Sequence, residues 1–177
     1  MKKLFFPVLY VAFLIPVLVC GQETNDASSV SRTLTALDYI KKGDQNYFLG
    51  NYFEAVSDYS EAIGINPDSY IAYNKRALAN FELGYYDSAV GDFGKAITIN
   101  PDSFIAYYNR GRLFSDRTNF IDAISDFTEV IRVKPDYAMA YQLRGYAKYK
   151  HGLPHCSDYK KCCELGLERC CMIICNE

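Results

Sequence analysis

The chain repeats itself every 34 residues, and this period limits the fold more than any other feature of its 177 residues. Prolines recur at that spacing, and each follows an asparagine or lysine and precedes an aspartate. The repeated positions are Pro67, Pro101 and Pro135, together with Tyr39, Tyr73, Tyr107 and Tyr141. A period in this range indicates stacked units that share one elongated core and mainly present a surface to partners.

The residues between two of these prolines predict a pair of helices. Residues 70–82 and 86–99 each carry apolar side chains at helical spacing, and Gly84 lies in the break between them. Pro101 cannot continue the second helix, because it lacks a backbone donor and restricts the residue before it. The aspartate after each proline is expected to cap the next helix, and these residues are Asp68, Asp102 and Asp136. The chain is therefore predicted to be all-α.

Small residues recur where the two helices of a unit must approach each other closely. In the first helices they are Gly43, Ala77, Gly111 and Gly145, and in the second helices they include Ala55, Ala89 and Ala123. Large rings are expected to fill the space between them, at Tyr59, Phe93 and Phe127. A glycine in mid-helix costs about 1 kcal/mol relative to alanine, so these glycines predict close helix contact.

This set of positions resembles the tetratricopeptide repeat family. Residues 36–152 carry its aromatic and small positions in the first helix, its aromatic and alanine positions in the second, and its closing proline. The resemblance implies a right-handed α-solenoid of helix-turn-helix repeats. Its parts would be three full units (36–69, 70–103 and 104–137), the start of a fourth (138–152), and a degenerate second helix with a Cys-rich capping helix (153–177).

The resemblance also implies a concave groove, lined by the first helices, in which a peptide or partner protein binds. Its second-position residues would be Leu37, Ile71, Ile105 and Met139. The residues expected to contact a partner are Asn74, Leu78, Phe81, Tyr108, Arg112, Gln142, Tyr146 and Tyr149. Tyrosine and arginine are frequent interface anchors, which favours Tyr108, Arg112 and Tyr146. The alternative is that several of these side chains only pack between neighbouring units.

One subclass of the family grips the acidic tails of chaperones with a clamp of lysine and asparagine side chains. Ile40 and Asp44 stand at the positions where the first unit of such proteins carries those two residues. The resemblance therefore does not extend to that clamp.

The N-terminal residues indicate an exported protein. Two lysines precede an apolar run of about 16 residues, which is shorter than the roughly 20 that span a bilayer. This pattern is typical of a signal peptide, here residues 1–21 with cleavage after Gly21, followed by a flexible polar segment at 22–34. Retention as an anchor and lipidation of Cys20 are the alternatives, and either would attach the protein to a membrane. The expected location is the periplasm, the cell envelope or the medium.

Six of the seven cysteines lie close together near the C-terminus, at Cys156, Cys162, Cys163, Cys170, Cys171 and Cys175. In an exported protein such a cluster is typical of disulfides that hold a terminal helix in place. An antiparallel hairpin turning at Gly166 would pair 156 with 175, 162 with 171 and 163 with 170. The last two pairings stay open, because adjacent helical residues point about 100° apart. A zinc or thiol-redox site is the alternative reading, although no Cys-x-x-Cys spacing supports it.

The remaining features favour a binding protein over an enzyme. The formal net charge is −2, and no basic stripe suggests nucleic acid. No phosphate-binding loop, nucleophile elbow or metalloprotease motif is present, so neither a cofactor nor a metal is expected. Arginines and aspartates recur at Arg76, Arg110 and Arg144 and at Asp58, Asp92 and Asp126, and we expect solvated pairs worth about 0–1 kcal/mol each.

The predicted function is a non-enzymatic scaffold that binds a peptide or partner protein in the groove. The alternatives are a metal-binding or thiol-redox protein acting through the cysteine cluster, and a lipoprotein of an envelope assembly complex. The repeats and the Cys-rich end together resemble small tetratricopeptide proteins of bacterial cell envelopes. A four-unit stack can also self-associate through an uncovered end, so a homodimer is left open.

Overall fold

The computed structural model describes residues 34–172, and every regular element in that range is an α-helix. The helices are α1 (Ala36–Phe48), α2 (Tyr52–Ile65), α3 (Tyr70–Glu82), α4 (Tyr86–Ile99), α5 (Phe104–Asp116), α6 (Phe120–Val133), α7 (Ala138–Lys150), α8 (Cys156–Glu164) and α9 (Glu168–Cys171). The bounds of α3 and α4 are those predicted from the sequence. Within residues 34–172 no helix is both long and apolar enough to cross a membrane.

Consecutive helices pack side by side from α1 to α9, and each first helix also contacts the next first helix: α1 with α3, α3 with α5, and α5 with α7. Between residues 34 and 172, consecutive second helices make less contact with each other than consecutive first helices do. The first helices therefore form the inner side of a curved stack, because elements on the shorter side lie closer together. The predicted all-α solenoid is confirmed.

The predicted close contacts between first and second helices are present. A Cβ atom added at Gly43 would lie 2.6 Å from the ring of Tyr59, so only glycine fits there beside that ring. The same contact recurs between Gly111 and Phe127 at 3.0 Å and between Gly145 and Tyr159 at 3.3 Å. The aromatic rings at the centre of these contacts are buried. Small and large side chains thus interlock in every unit that contains such a glycine.

The prediction that aspartates cap the first helices is wrong. α3 begins after Ser69, whose hydroxyl accepts a hydrogen bond from the backbone N–H of Ala72. Asp68 lies one residue earlier, in a turn where its own N–H donates to the side chain of Asn66. Because that local side-chain bond stabilises the turn at Asp68, the helix begins one residue later than predicted. The N-cap residues of α5 and α7 are likewise Ser103 and Tyr137, not Asp102 and Asp136.

The prediction of solvated arginine–aspartate pairs is also wrong. Arg110 makes a bidentate ion pair with Asp126, with Nε and Nη2 at 2.9 and 2.7 Å from the carboxylate oxygens, and Asp126 is buried. The pair joins the first and second helix of one unit. Equivalent pairs are Arg76–Asp92, Arg144–Asp158 and, with lysine in place of arginine, Lys42–Asp58. In each pair the aspartate is buried inside the unit, where the geometry must offset its loss of hydration, whereas the Lys42 side chain is 59% exposed.

The C-terminal helices close the stack. α8 takes the place of a second helix, since Tyr159 packs on Gly145 and Asp158 binds Arg144 at 2.6 Å. Gly166, with a φ of +88°, follows the end of α8 and turns the chain into the four-residue α9. The left-handed backbone at this point is one that glycine adopts without strain.

The hairpin pairings Cys162–Cys171 and Cys163–Cys170 are wrong. The structure joins Cys162 to Cys170 and Cys163 to Cys171, with Cα atoms 5.9 and 4.9 Å apart. Cys162 and Cys170 both face the core, whereas Cys163 and Cys171 are less buried. Because adjacent helical residues point in different directions, each cysteine pairs with the one on its own side and not by sequence distance from the turn.

Cys156 is disulfide-bonded as well. Its predicted partner, Cys175, lies outside the described residues, so the pairing of 156 with 175 stays a prediction. The predicted leader, residues 1–21, with its lipidation residue Cys20, also lies outside them, as does nearly all of the polar segment 22–34.

Candidate binding surface

A column of apolar side chains runs along the first helices at their second position. Leu37, Ile71 and Ile105 are 58, 44 and 49% exposed. The fourth member, Met139, is only partly exposed. Exposed aliphatic side chains in a row on the inner side of a stack are suited to contact the apolar side chains of an extended partner.

The predicted contact residues of the second unit lie on the inner side but are partly used by the fold. Leu78 and Phe81 are half-buried and pack against the core cluster that contains Ala77 and Phe93. Asn74 accepts a hydrogen bond of 3.2 Å from the side chain of Asn109 on the next first helix. These three side chains therefore stabilise the unit contacts and present only part of their surface.

The third unit contributes a ring and a cation. Tyr108 is half-buried, with its ring centroid 6.3 Å from that of Phe127 and 5.5 Å from that of Tyr137. Arg112 is exposed, and its Cζ lies 6.0 Å from the ring centroid of Tyr108. Burial, as the main cause, raises the pKa of the Tyr108 hydroxyl, while Arg112 and Arg169 oppose that rise. Arg112 is thus available to a ligand, whereas Tyr108 is chiefly its support.

The fourth unit offers two exposed tyrosines among the predicted residues. Tyr146 and Tyr149 are 43 and 60% exposed, and Gln142 is half-buried. Tyr149 borders an open cavity of about 560 Å³, where its ring centroid lies 5.2 Å from that of His155. Exposed tyrosines present a large apolar ring and a polar tip, which suits them to a protein interface.

The first two units carry a polar region beside the column. Asp44 accepts hydrogen bonds from Lys75 Nζ at 2.7 Å and from the hydroxyl of Tyr59 at 2.8 Å. The Tyr47 hydroxyl donates to Glu82 Oε1 at 3.3 Å. Burial, followed by the neighbouring Glu82 carboxylate, raises the pKa of Tyr47 to about 12, so this hydroxyl stays protonated at neutral pH. The acidic groups of this region therefore already have donors within the protein.

Sequence reasoning missed one residue on the inner side, Arg169 of α9. Its Nη2 lies 3.3 Å from the sulfur of Met139, the fourth member of the apolar column. Arg169 is the second residue of α9, the position that Ile105 and Met139 hold in α5 and α7. Counting from the start of the last helix would have placed Arg169 in the column, but the shortened fourth unit breaks the 34-residue spacing on which that count depends.

A metal or redox site is the alternative role for the cysteine cluster. Four of them form the two disulfides of α8 and α9, and a metal ligand must be a thiolate. Among residues 34–172, no group of three or more His, Cys, Asp or Glu side chains is arranged to hold a metal ion. The described geometry therefore places the chemistry of these cysteines in cross-linking the last two helices.

Comparisons with known proteins agree with this architecture. Residues 43–84 match a family model described as TPR repeat, and residues 70–103 match one described as tetratricopeptide repeat. No curated protein matches the sequence. Residues 43–103 therefore carry tetratricopeptide repeats.

Solved structures with a similar fold include tetratricopeptide repeat domains. The crystal structure of MamA has a TM-score of 0.71 at 24% identity, covering 76% of this chain and 80% of that one. The first TPR domain of Spaghetti (RPAP3), bound to the HSP90 peptide SRMEEVD, has a TM-score of 0.64 at 24% identity, covering 67% and 94%. The Arabidopsis OM64 TPR domain has a TM-score of 0.62 at 26% identity, covering 65% and 95%.

Proposed function

We propose that this protein is a non-enzymatic scaffold that binds an extended segment of a partner protein along the inner side of its first helices. The observation that carries the proposal is the exposed column of Leu37, Ile71 and Ile105, flanked by the exposed Arg112. Repeats of this kind generally serve as non-catalytic interaction surfaces. The HSP90 peptide in the structure of the Spaghetti (RPAP3) domain supports a peptide ligand for this fold.

The inner side favours a partner that is held by side chains more than by its backbone. The helices present no unpaired strand edge to which a peptide could add, so affinity has to come from apolar contact and from charged hydrogen bonds. Tyr146 and Tyr149 lengthen the surface toward the fourth unit. An extended segment that crosses several units would contact one exposed side chain per unit, which explains why the column recurs with the repeat.

The proposal is tested by in-cell crosslinking and affinity capture of the full-length chain and of two charge-reversal variants. Arg112→Glu changes the inner side, and Lys95→Glu makes the same change in charge at an exposed position on the second helix α4. We expect a stoichiometric crosslinked partner that Arg112→Glu loses and Lys95→Glu retains. A partner retained by both variants, or no partner at all, would contradict binding on the inner side.

We propose further that the protein acts after export. The N-terminal lysines and short apolar run support this, and disulfides persist in oxidising compartments. Mass spectrometry of the purified N-terminus distinguishes cleavage after Gly21 from a retained leader and from a lipid on Cys20.

A further inference from the structure

The disulfide-linked C-terminal end carries an arginine that is not needed to cover the end of the stack. Its short helix α9 presents an arginine to the inner side, at the position where the preceding first helices present apolar side chains. Leu37, Ile71 and Ile105 are well exposed, whereas Met139 is partly covered and lies against Arg169. The apolar column therefore ends in a guanidinium group.

Among the described residues, two guanidinium groups on the inner side, those of Arg112 and Arg169, have no acidic partner. Arg76, Arg110 and Arg144 are held by buried aspartates. Arg112 lies over the ring of Tyr108, and its charge also acts on Tyr47, whereas Arg169 donates to a methionine sulfur, which is a weak acceptor. Within residues 34–172 neither lies within 4.0 Å of a carboxylate oxygen. Their strong donors are therefore left for a ligand.

These two cations act on the same group. Burial raises the pKa of the Tyr108 hydroxyl, whereas the charges of both Arg112 and Arg169 act to lower it. Arg112 also lies over the ring of Tyr108, and Arg169 contacts Met139 on the adjacent first helix. The charges of α5 and α9 thus converge on one part of the inner side, although α9 follows α5 in sequence by two full helical pairs.

The disulfides fix the position of Arg169. The two residues after it, Cys170 and Cys171, are both bonded to α8, and Cys170 is buried. A four-residue helix has too few internal hydrogen bonds to be stable alone, so its placement depends on these bonds and on core packing. Reduction would free Arg169 from the inner side without removing any residue of the repeats.

We infer that Arg169 of the disulfide-linked cap and Arg112 of the third unit together bind an acidic segment of the partner, and that this binding depends on the cap disulfides. The inference rests on the proposed function and specifies the chemistry of the partner. Apolar side chains of the segment would lie on the column while its carboxylates accept from the two guanidinium groups.

The test is fluorescence anisotropy of the oxidised protein with a short labelled peptide that combines glutamate and leucine, and with its glutamine counterpart. We expect the glutamate peptide to bind and the glutamine peptide not to bind, and we expect the affinity of the glutamate peptide to fall at high salt. Arg112→Gln and Arg169→Gln should each weaken it about threefold to tenfold, as for exposed charged hydrogen bonds. Arg117→Gln is the matched control, because Arg117 also has no carboxylate partner within residues 34–172 but stacks on Tyr86 outside the column.

Reduction separates a positioned cation from a general charge effect. With a reductant, the wild-type affinity should fall to that of Arg169→Gln, while Arg169→Gln itself should not change further. Circular dichroism and melting curves verify that the repeats stay folded. Equal affinity of wild type and Arg169→Gln, or equal weakening by Arg117→Gln, overturns the inference.

Failure of the inference is distinguishable from failure of the proposed function. A glutamate peptide that does not bind overturns the acidic site, and the scaffold proposal then stands if the crosslinked partner is still lost in Arg112→Glu. Absence of both peptide binding and a partner overturns both.

Discussion

At the residue scale, the fold depends on a few positions where a second-helix ring lies against a first-helix backbone. The ring of Tyr59 is buried, and its hydroxyl is tied to Asp44, so it cannot move away from Gly43. Gly91 lies on the second helix α4 with nothing near the place of a Cβ atom. The same residue type therefore has opposite roles at two sites, and close packing decides between them.

The first prediction compares alanine at these two glycines. Gly43→Ala should lower the free energy of unfolding by about 1–3 kcal/mol, because the added methyl overpacks against a fixed ring. Gly91→Ala should raise it by up to about 1 kcal/mol through helix propensity alone. Urea unfolding of the two variants measures both values. A stabilising Gly43→Ala would mean that the ring is not held as tightly as its contacts suggest.

At the element scale, ion pairs to a buried aspartate join the two helices of each unit. Burial of Asp126 raises the pKa of its carboxyl group although Arg110 acts in the opposite direction. The hydrogen bond to Asp126 in turn raises the pKa of Arg110, so the guanidinium stays charged. A carboxylate held in the interior by one guanidinium is destabilising as soon as that partner is removed.

The second prediction concerns Arg110→Met, which we expect to cost about 3 kcal/mol or more at neutral pH. Without its partner, Asp126 has a still higher pKa in the folded state than in the unfolded state. The variant should therefore recover stability, relative to wild type, as the pH falls from 7 toward the unfolded value of about 4.

The matched control for that experiment is the double variant Arg110→Met/Asp126→Leu. It removes both charges, so it should be more stable than Arg110→Met and lose the recovery at low pH. Urea unfolding at several pH values gives all the comparisons. If Arg110→Met keeps the pH dependence of wild type, the carboxylate is hydrated in the variant and not buried.

At the scale of the whole molecule, each unit within residues 34–172 packs mainly on its neighbours, and the two ends of this stack differ. The C-terminal end is cross-linked by Cys162–Cys170 and Cys163–Cys171. The first unit has no disulfide among the described residues, and Phe48 and Leu49 near the end of α1 are 90 and 74% exposed. Stability in such a stack is the sum of unit and interface contributions, so an effect at one end should fade along it.

The third prediction is that reduction loosens the stack from one end. Each bridge closes a short loop and should contribute about 2 kcal/mol. Hydrogen exchange of the reduced protein should therefore increase most in α7, α8 and α9 and least in α1 and α2. The oxidised protein under the same conditions is the reference. A uniform increase over all helices would show that the units unfold together.

The sequence alone determined the repeat, the helix pairs and the interlocking of glycine with aromatic rings. These features follow from rules that act within one unit, namely helical spacing, proline breaks and the volume of side chains. The same pattern then recurs in each unit. The bounds of α3 and α4 and the contacts of Gly43, Gly111 and Gly145 could be read from residues close in sequence.

Features that depend on the direction and burial of side chains could be known only from the tertiary structure. In the structure the N-cap of α3 is Ser69 and not Asp68, and the aspartates that bind the arginines are buried. The cysteines pair according to the side of the helix on which they lie. The structure also places Arg169 against Met139, because the shortened last unit breaks the period that links sequence position to place in the stack. Sequence spacing indicates which residues share a helix face, but the packing of the neighbouring helices decides whether that face is buried, bonded or open to a partner.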